Sequence, residues 1–106
     1  MIPESIHVLL IEDNPGDARL IQRALAETHS SQGAAPQFKV TVAARLADGL
    51  AHLSADVIDI VLLDLSLPDS QGLETLRQVV ARAPHLPVVV LTGLDDEDNA
   101  LQAMQQ

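Results

Sequence analysis

The sequence predicts a doubly wound α/β domain, and three observations carry that prediction. Short apolar runs alternate with amphipathic stretches in the order βαβαβαβα. Strands separated by helices imply parallel pairing through right-handed crossovers. The chain is 106 residues long and 47% apolar, which suits one domain with a real core and is too short for two.

Ile6-His7-Val8-Leu9-Leu10-Ile11 is a nearly continuous β-rich run, as expected of a strand buried on both faces. Asn14-Pro15-Gly16-Asp17 then punctuates the chain and starts a helix, with Ala18, Ile21, Leu25 and Thr28 on one stripe. The segment 30–36 is a loop by composition. Phe38 to Ala43 alternates more, which predicts a strand at a sheet edge. Leu46, Leu50 and Leu53 mark a second helix. Ile60-Val61-Leu62-Leu63, within the stretch 58–65, is the expected central strand. Leu73, Leu76, Val80 and Ala83 give a third helix between Gly72 and Pro84. Val88-Val89-Val90-Leu91 is the fourth strand. Asp95-Asp96-Glu97 puts negative charge at the start of a fourth helix, where the helix dipole favours it. Ala100, Leu101 and Met104 lie on that helix. No internal repeat or linker interrupts the pattern.

Composition narrows the function. Cysteine is absent, which excludes disulfides and thiolate metal sites and fits a reducing compartment. The first residues lack the features of a secretory signal, and no apolar run is long enough for a membrane span. A soluble cytoplasmic protein is expected. Six basic residues against 15 acidic ones give a formal charge of −9, so direct nucleic-acid binding is not expected. Most of these acids need no explanation beyond solubility.

Three of them do. In a doubly wound sheet, ligands bind outside the carboxyl ends of the strands. Glu12 and Asp13 stand just past the first strand, and Asp64 stands at the end of the central one. Taken alone, such an Asp is more often a helix cap or turn residue. If the two strands are neighbours, three carboxylates meet in one crevice. Their mutual repulsion is relieved by a hard divalent cation with oxygen ligands, for which Mg2+ is the usual candidate. The hydroxyl of Thr92 and the backbone N–H of Gly93, past the fourth strand, would contact an anionic oxygen above the metal. Asp64 would then act as a nucleophile toward a phosphoryl group.

These residues also carry a resemblance. Val8-Leu9-Leu10-Ile11-Glu12-Asp13-Asn14-Pro15 resembles the opening of a response-regulator receiver domain of two-component signalling. So does Val61-Leu62-Leu63-Asp64-Leu65-Ser66-Leu67-Pro68-Asp69-Ser70-Gln71-Gly72-Leu73-Glu74, with its proline and glycine four and eight residues after the acid. Val88-Val89-Val90-Leu91-Thr92-Gly93 is similar to that family's fourth strand and switch hydroxyl. The resemblance covers essentially the whole chain. It implies a flavodoxin-like fold with strand order 2-1-3-4, normally completed by a fifth strand and helix. It further implies that Asp64 is the phosphoacceptor, taking its phosphoryl group from a histidine kinase or a phosphotransfer protein. Glu12, Asp13, Asp64 and the backbone carbonyl of Ser66 would hold Mg2+, and Thr92 would reorient on activation with the Gly93 N–H in support. The implied role is a signalling switch rather than an enzyme.

The family's fifth strand also brings a lysine to the site, and the sequence ends before it; the one lysine here is Lys39, on the second strand. The expectation is therefore a receiver that is incomplete at its C-terminal end, with a fourth strand whose exposed edge can pair with a second copy. Two readings follow: a Mg2+-dependent phosphoacceptor, favoured by the intact acids and Thr92, and a receiver-like interaction module that is not phosphorylated. Other chemistry lacks support. His7, His29, His52 and His85 have no metal-cluster spacing. Gly16 alone is no dinucleotide fingerprint, and neither Ser66 nor Ser70 sits in a hydrolase motif.

Overall fold

A computed structural model describes residues 5–30 and 37–91 of the chain. Strand β1 (Ser5–Ile11) leads through helix α1 (Pro15–Ser30) to β2 (Gln37–Ala43), and helix α2 (Leu46–Ala55) leads on to β3 (Ile60–Asp64). A two-residue pair follows, β4 (Ser66–Leu67) and β5 (Ser70–Gln71), then helix α3 (Leu73–Arg82) and β6 (Val88–Leu91).

The main sheet has the order β2-β1-β3-β6, with every pairing parallel. This is the expected 2-1-3-4 order, counting long strands alone, and β2 stands at the edge as its alternation predicts. Because the chain steps from β1 to β2 in one direction and from β2 to β3 in the other, right-handed crossovers place α1 and α2 on opposite faces. The core follows that division. Leu9, Ile11, Val61 and Leu63 point to one face, where they pack with Leu46 of α2 and Val79 of α3. Val8 and Leu10 point the other way and are also buried, as is Ala18 on α1. The second half of β1, Val8 to Ile11, is thus apolar on both sides because water reaches neither of its faces.

Gly49 lets α2 approach β1 closely. A Cβ at this position would collide with the side chain of Ile11, which is itself fully buried. Asn14 starts α1: its Oδ1 accepts the N–H groups of Gly16 (2.9 Å) and Asp17 (3.1 Å), with Pro15 at the first helical position.

Three sequence expectations change. The α3 stripe turns, so that Thr75, Val79 and Ala83 are buried whereas Val80 is 43% exposed. The hydroxyl of Thr75, held by Ser70, makes a polar residue acceptable on the buried face. His29 belongs to α1, not to a loop, since no Gly or Pro stands between Gly16 and Gly33. The β4–β5 pair is an element that periodicity could not reveal in so short a stretch. The expected fourth helix lies outside the described residues. Among the described residues, no helix is long and apolar enough to cross a membrane.

Candidate metal and phosphoacceptor site

Both acid-bearing strands end at the same edge of the sheet, because β1 and β3 are parallel neighbours with Ile11 opposite Leu63. One residue further on, Glu12 and Asp64 stand side by side. Glu12, Asp13 and Asp64 each offer a carboxylate oxygen, and these oxygens all lie within 4.8 Å of one another. Glu12 and Asp64 are each 7% exposed, whereas Asp13 faces solvent. The convergence expected from the sequence is therefore present.

Each buried acid is held by the backbone around it. The Glu12 N–H continues the sheet ladder to the Ala43 carbonyl (2.9 Å), and Glu12 Oε1 accepts the Asn14 N–H (3.1 Å). Asp64 Oδ1 accepts the N–H of Ser66 (3.0 Å). Burial pushes the Glu12 carboxyl up to about 7 from its ordinary 4.5, and the neighbouring Asp64 charge pushes the same way against the Asn14 N–H. An all-oxygen set that carries more negative charge than its surroundings tolerate fits a hard divalent cation such as Mg2+. Of the residues expected at the site, Ser66 lies on β4 with its N–H on Asp64. Thr92 and Gly93 lie outside the described residues, directly after Leu91, which is the register partner of Asp64.

Asp69 has a part in this region that sequence reasoning missed. Helix α2 begins at Leu46 after Arg45, which supplies no capping side chain. The carboxylate of Asp69 supplies the cap instead: Oδ1 accepts the Leu46 N–H (2.8 Å) and Oδ2 the Ala47 N–H (2.9 Å). Those N–H groups, Ala47 first, hold the Asp69 carboxyl below its ordinary pKa. A helix start without its own cap, with an Asp in a loop downstream, was the available signal. The hairpin is also tied to α3, through Ser70 Oγ and the buried Thr75 Oγ1 at 2.6 Å. Gly72, at φ 73°, turns the chain into α3 while its N–H bonds the Leu65 carbonyl (2.7 Å). Only glycine adopts that backbone readily. A recess of about 310 Å³ between α2 and α3, lined by Leu50, Gln78, Ala81 and Arg82, includes none of the clustered acids.

Residues 8–106 match the family model described as the response regulator receiver domain. The chain belongs to this family. Among curated relatives, the C4-dicarboxylate transport transcriptional regulatory protein DctD of Rhizobium meliloti is 36% identical over 98 residues. That match covers 92% of this chain and 20% of the relative, so the chain spans about a fifth of that protein. A response regulator receiver domain protein from Clostridium thermocellum superposes with a TM-score of 0.71 at 29% identity, covering 94% of this chain and 75% of that one. The receiver domain of a sensor histidine kinase from Pseudomonas aeruginosa, solved with a magnesium ion in its active-site cleft, gives 0.70 at 26% identity and covers 93% and 79%.

Proposed function

We propose that this receiver is a phosphoacceptor switch that takes a phosphoryl group onto Asp64 from a histidine kinase or a histidine phosphotransfer protein. The observation that carries the proposal is the meeting of Glu12, Asp13 and Asp64 at neighbouring strand ends, their oxygens within 4.8 Å. The donor set suits Mg2+, with Glu12, Asp13, Asp64 and the Ser66 carbonyl as ligands, and the magnesium-bearing receiver of similar fold supports that choice. When bound, the ion neutralises charge on the phosphoryl oxygens.

The chain's own residues then do little covalent work. An Asp64 carboxylate oxygen bonds to phosphorus as the phosphorus–nitrogen bond of the donor histidine breaks. The electron pair stays with the imidazole, which carries a proton on its other ring nitrogen or takes one from water, so the products are an acyl phosphate and neutral histidine. The Ser66 N–H orients the acceptor by holding Oδ1. Thr92, with the Gly93 N–H, is proposed to contact the transferred group and to report it. On this reading the chain is a substrate and switch rather than an enzyme, and it works in the cytoplasm. Its −9 charge argues that any DNA contact, as the transcriptional role of the DctD relative would require, is made elsewhere in a longer protein.

The second reading is an interaction module that is not phosphorylated. One experiment separates the two. The chain is incubated with Mg2+ and a small-molecule phosphodonor and its intact mass recorded beside Asp64→Asn. Gain of one phosphoryl group by the parent alone supports the acceptor reading. A folded parent that gains nothing supports the interaction module.

A further inference from the structure

Two-residue strands paired only with each other have little stability of their own, and β4–β5 is such a pair, outside the main sheet. It nevertheless carries Ser66, whose N–H holds the acceptor carboxylate. Something else must keep it in place. At its tip Asp69 bonds both the Leu46 and Ala47 N–H groups at the start of α2, across 23 and 22 residues of sequence. That helix follows β2, whose last residue, Ala43, accepts the N–H of Glu12. The bonds and the short chain segments between them close a ring: Glu12 to Ala43, along the chain to Leu46, across to Asp69, and back through the hairpin to Ser66 and Asp64. The ring joins the backbone supports of both buried acids.

We infer that Asp69 is a positioning residue, which by capping α2 from the hairpin sets the segment after Asp64 relative to Glu12 and so sets the affinity of the site for a divalent cation. The inference rests on the phosphoacceptor reading and adds a residue to it. Asp69 touches no ligand itself; it acts through the backbone at Ser66. Ser70 and Gly72 tie the hairpin to α3 and to Leu65, whereas Asp69 ties it to the element beside Glu12.

The test compares the parent with Asp69→Ala, Asp69→Asn and a control, Arg82→Ala. The control cuts a different link between α3 and α2, from the Arg82 guanidinium to Ser54 Oγ (2.9 Å) and the Leu50 carbonyl (3.4 Å). Circular dichroism first fixes a temperature at which all four are folded. Calorimetric titration with MgCl2 then gives the affinity, and hydrogen exchange of the metal-free chains reports on amides 46, 47 and 66. For Asp69→Ala the Mg2+ dissociation constant is expected to rise on the order of tenfold, as when groups that orient metal ligands are removed. Exchange at the three amides should quicken together. Asp69→Asn, which keeps one acceptor oxygen, should fall between, and Arg82→Ala should match the parent. Parent-like Mg2+ affinity in Asp69→Ala overturns the inference, as does an equal loss in Arg82→Ala. A parent that binds Mg2+ but is not phosphorylated overturns the acceptor reading alone. A parent that does not bind Mg2+ overturns both.

Discussion

Burial raises Glu12 to a pKa of about 7, so the folded chain holds a proton there that the unfolded chain, at the ordinary 4.5, has already lost. Between those values the native state binds more protons than the denatured one, and stability falls as pH rises. The contribution is fully present below about pH 4.5 and is gone above about pH 7, an effect on the order of 3 kcal/mol. Urea unfolding of the metal-free chain, followed by circular dichroism, should show this decline across the window. Glu12→Gln should flatten it, because the amide has no proton to lose. Mg2+ should restore stability above pH 7, where Glu12 is a carboxylate and a better ligand. A decline that persists unchanged in Glu12→Gln would assign it to other groups. Asp69 has the opposite sign. Its lowered pKa favours the fold above its ordinary 3.8, a benefit lost as acid protonates it.

Helix α2 depends on its surroundings at two points. Its start is capped from another loop, and its middle lies against β1 at Gly49. Gly49→Ala sets two effects against each other. Alanine gains about 1 kcal/mol of helix propensity. The new Cβ meets the fully buried Ile11, with Cγ1 at 2.9 Å, and overpacking costs about 1–3 kcal/mol. The clash wins, and the urea midpoint should fall by an amount equivalent to about 1 kcal/mol. A rise would mean that α2 moves away from β1 easily. Helix α3 makes a related point about sequence reading. Of Leu73, Leu76, Val80 and Ala83, which have helical spacing, Ala83 is buried and Leu76 packs against the core, yet Val80 is exposed while Val79 is fully buried, and Thr75 is buried because Ser70 answers its hydroxyl. Spacing found the helix and misjudged its facing by part of a turn.

For the molecule as a whole, edge and charge compete. Among the described residues β6 pairs with β3 alone, and its Val89 is 45% exposed. Where its other side stays unpaired, an apolar strand favours pairing with a second copy, whereas a formal charge of −9 opposes association at low salt. We propose that self-association through this edge grows with ionic strength. Light scattering across a salt series should show the mean mass rising with salt and concentration; a constant monomer mass at high salt would refute it.

The sequence by itself determined the alternation of strands and helices, the parallel order that short crossovers allow, and the positions of Glu12, Asp13 and Asp64 at strand ends. These are short-range properties, set by side-chain periodicity and by the residues that close each run. The β3-to-α3 motif pointed to the family for the same reason, since its acid, proline and glycine lie within one short segment. Tertiary structure alone decided that Glu12 would be buried beside Asp64 and hold its proton to about pH 7. It decided as well that Asp69, 23 residues downstream, would cap a helix lacking a cap of its own. Desolvation and long-range capping depend on which segments become neighbours, and no local pattern in the chain records that.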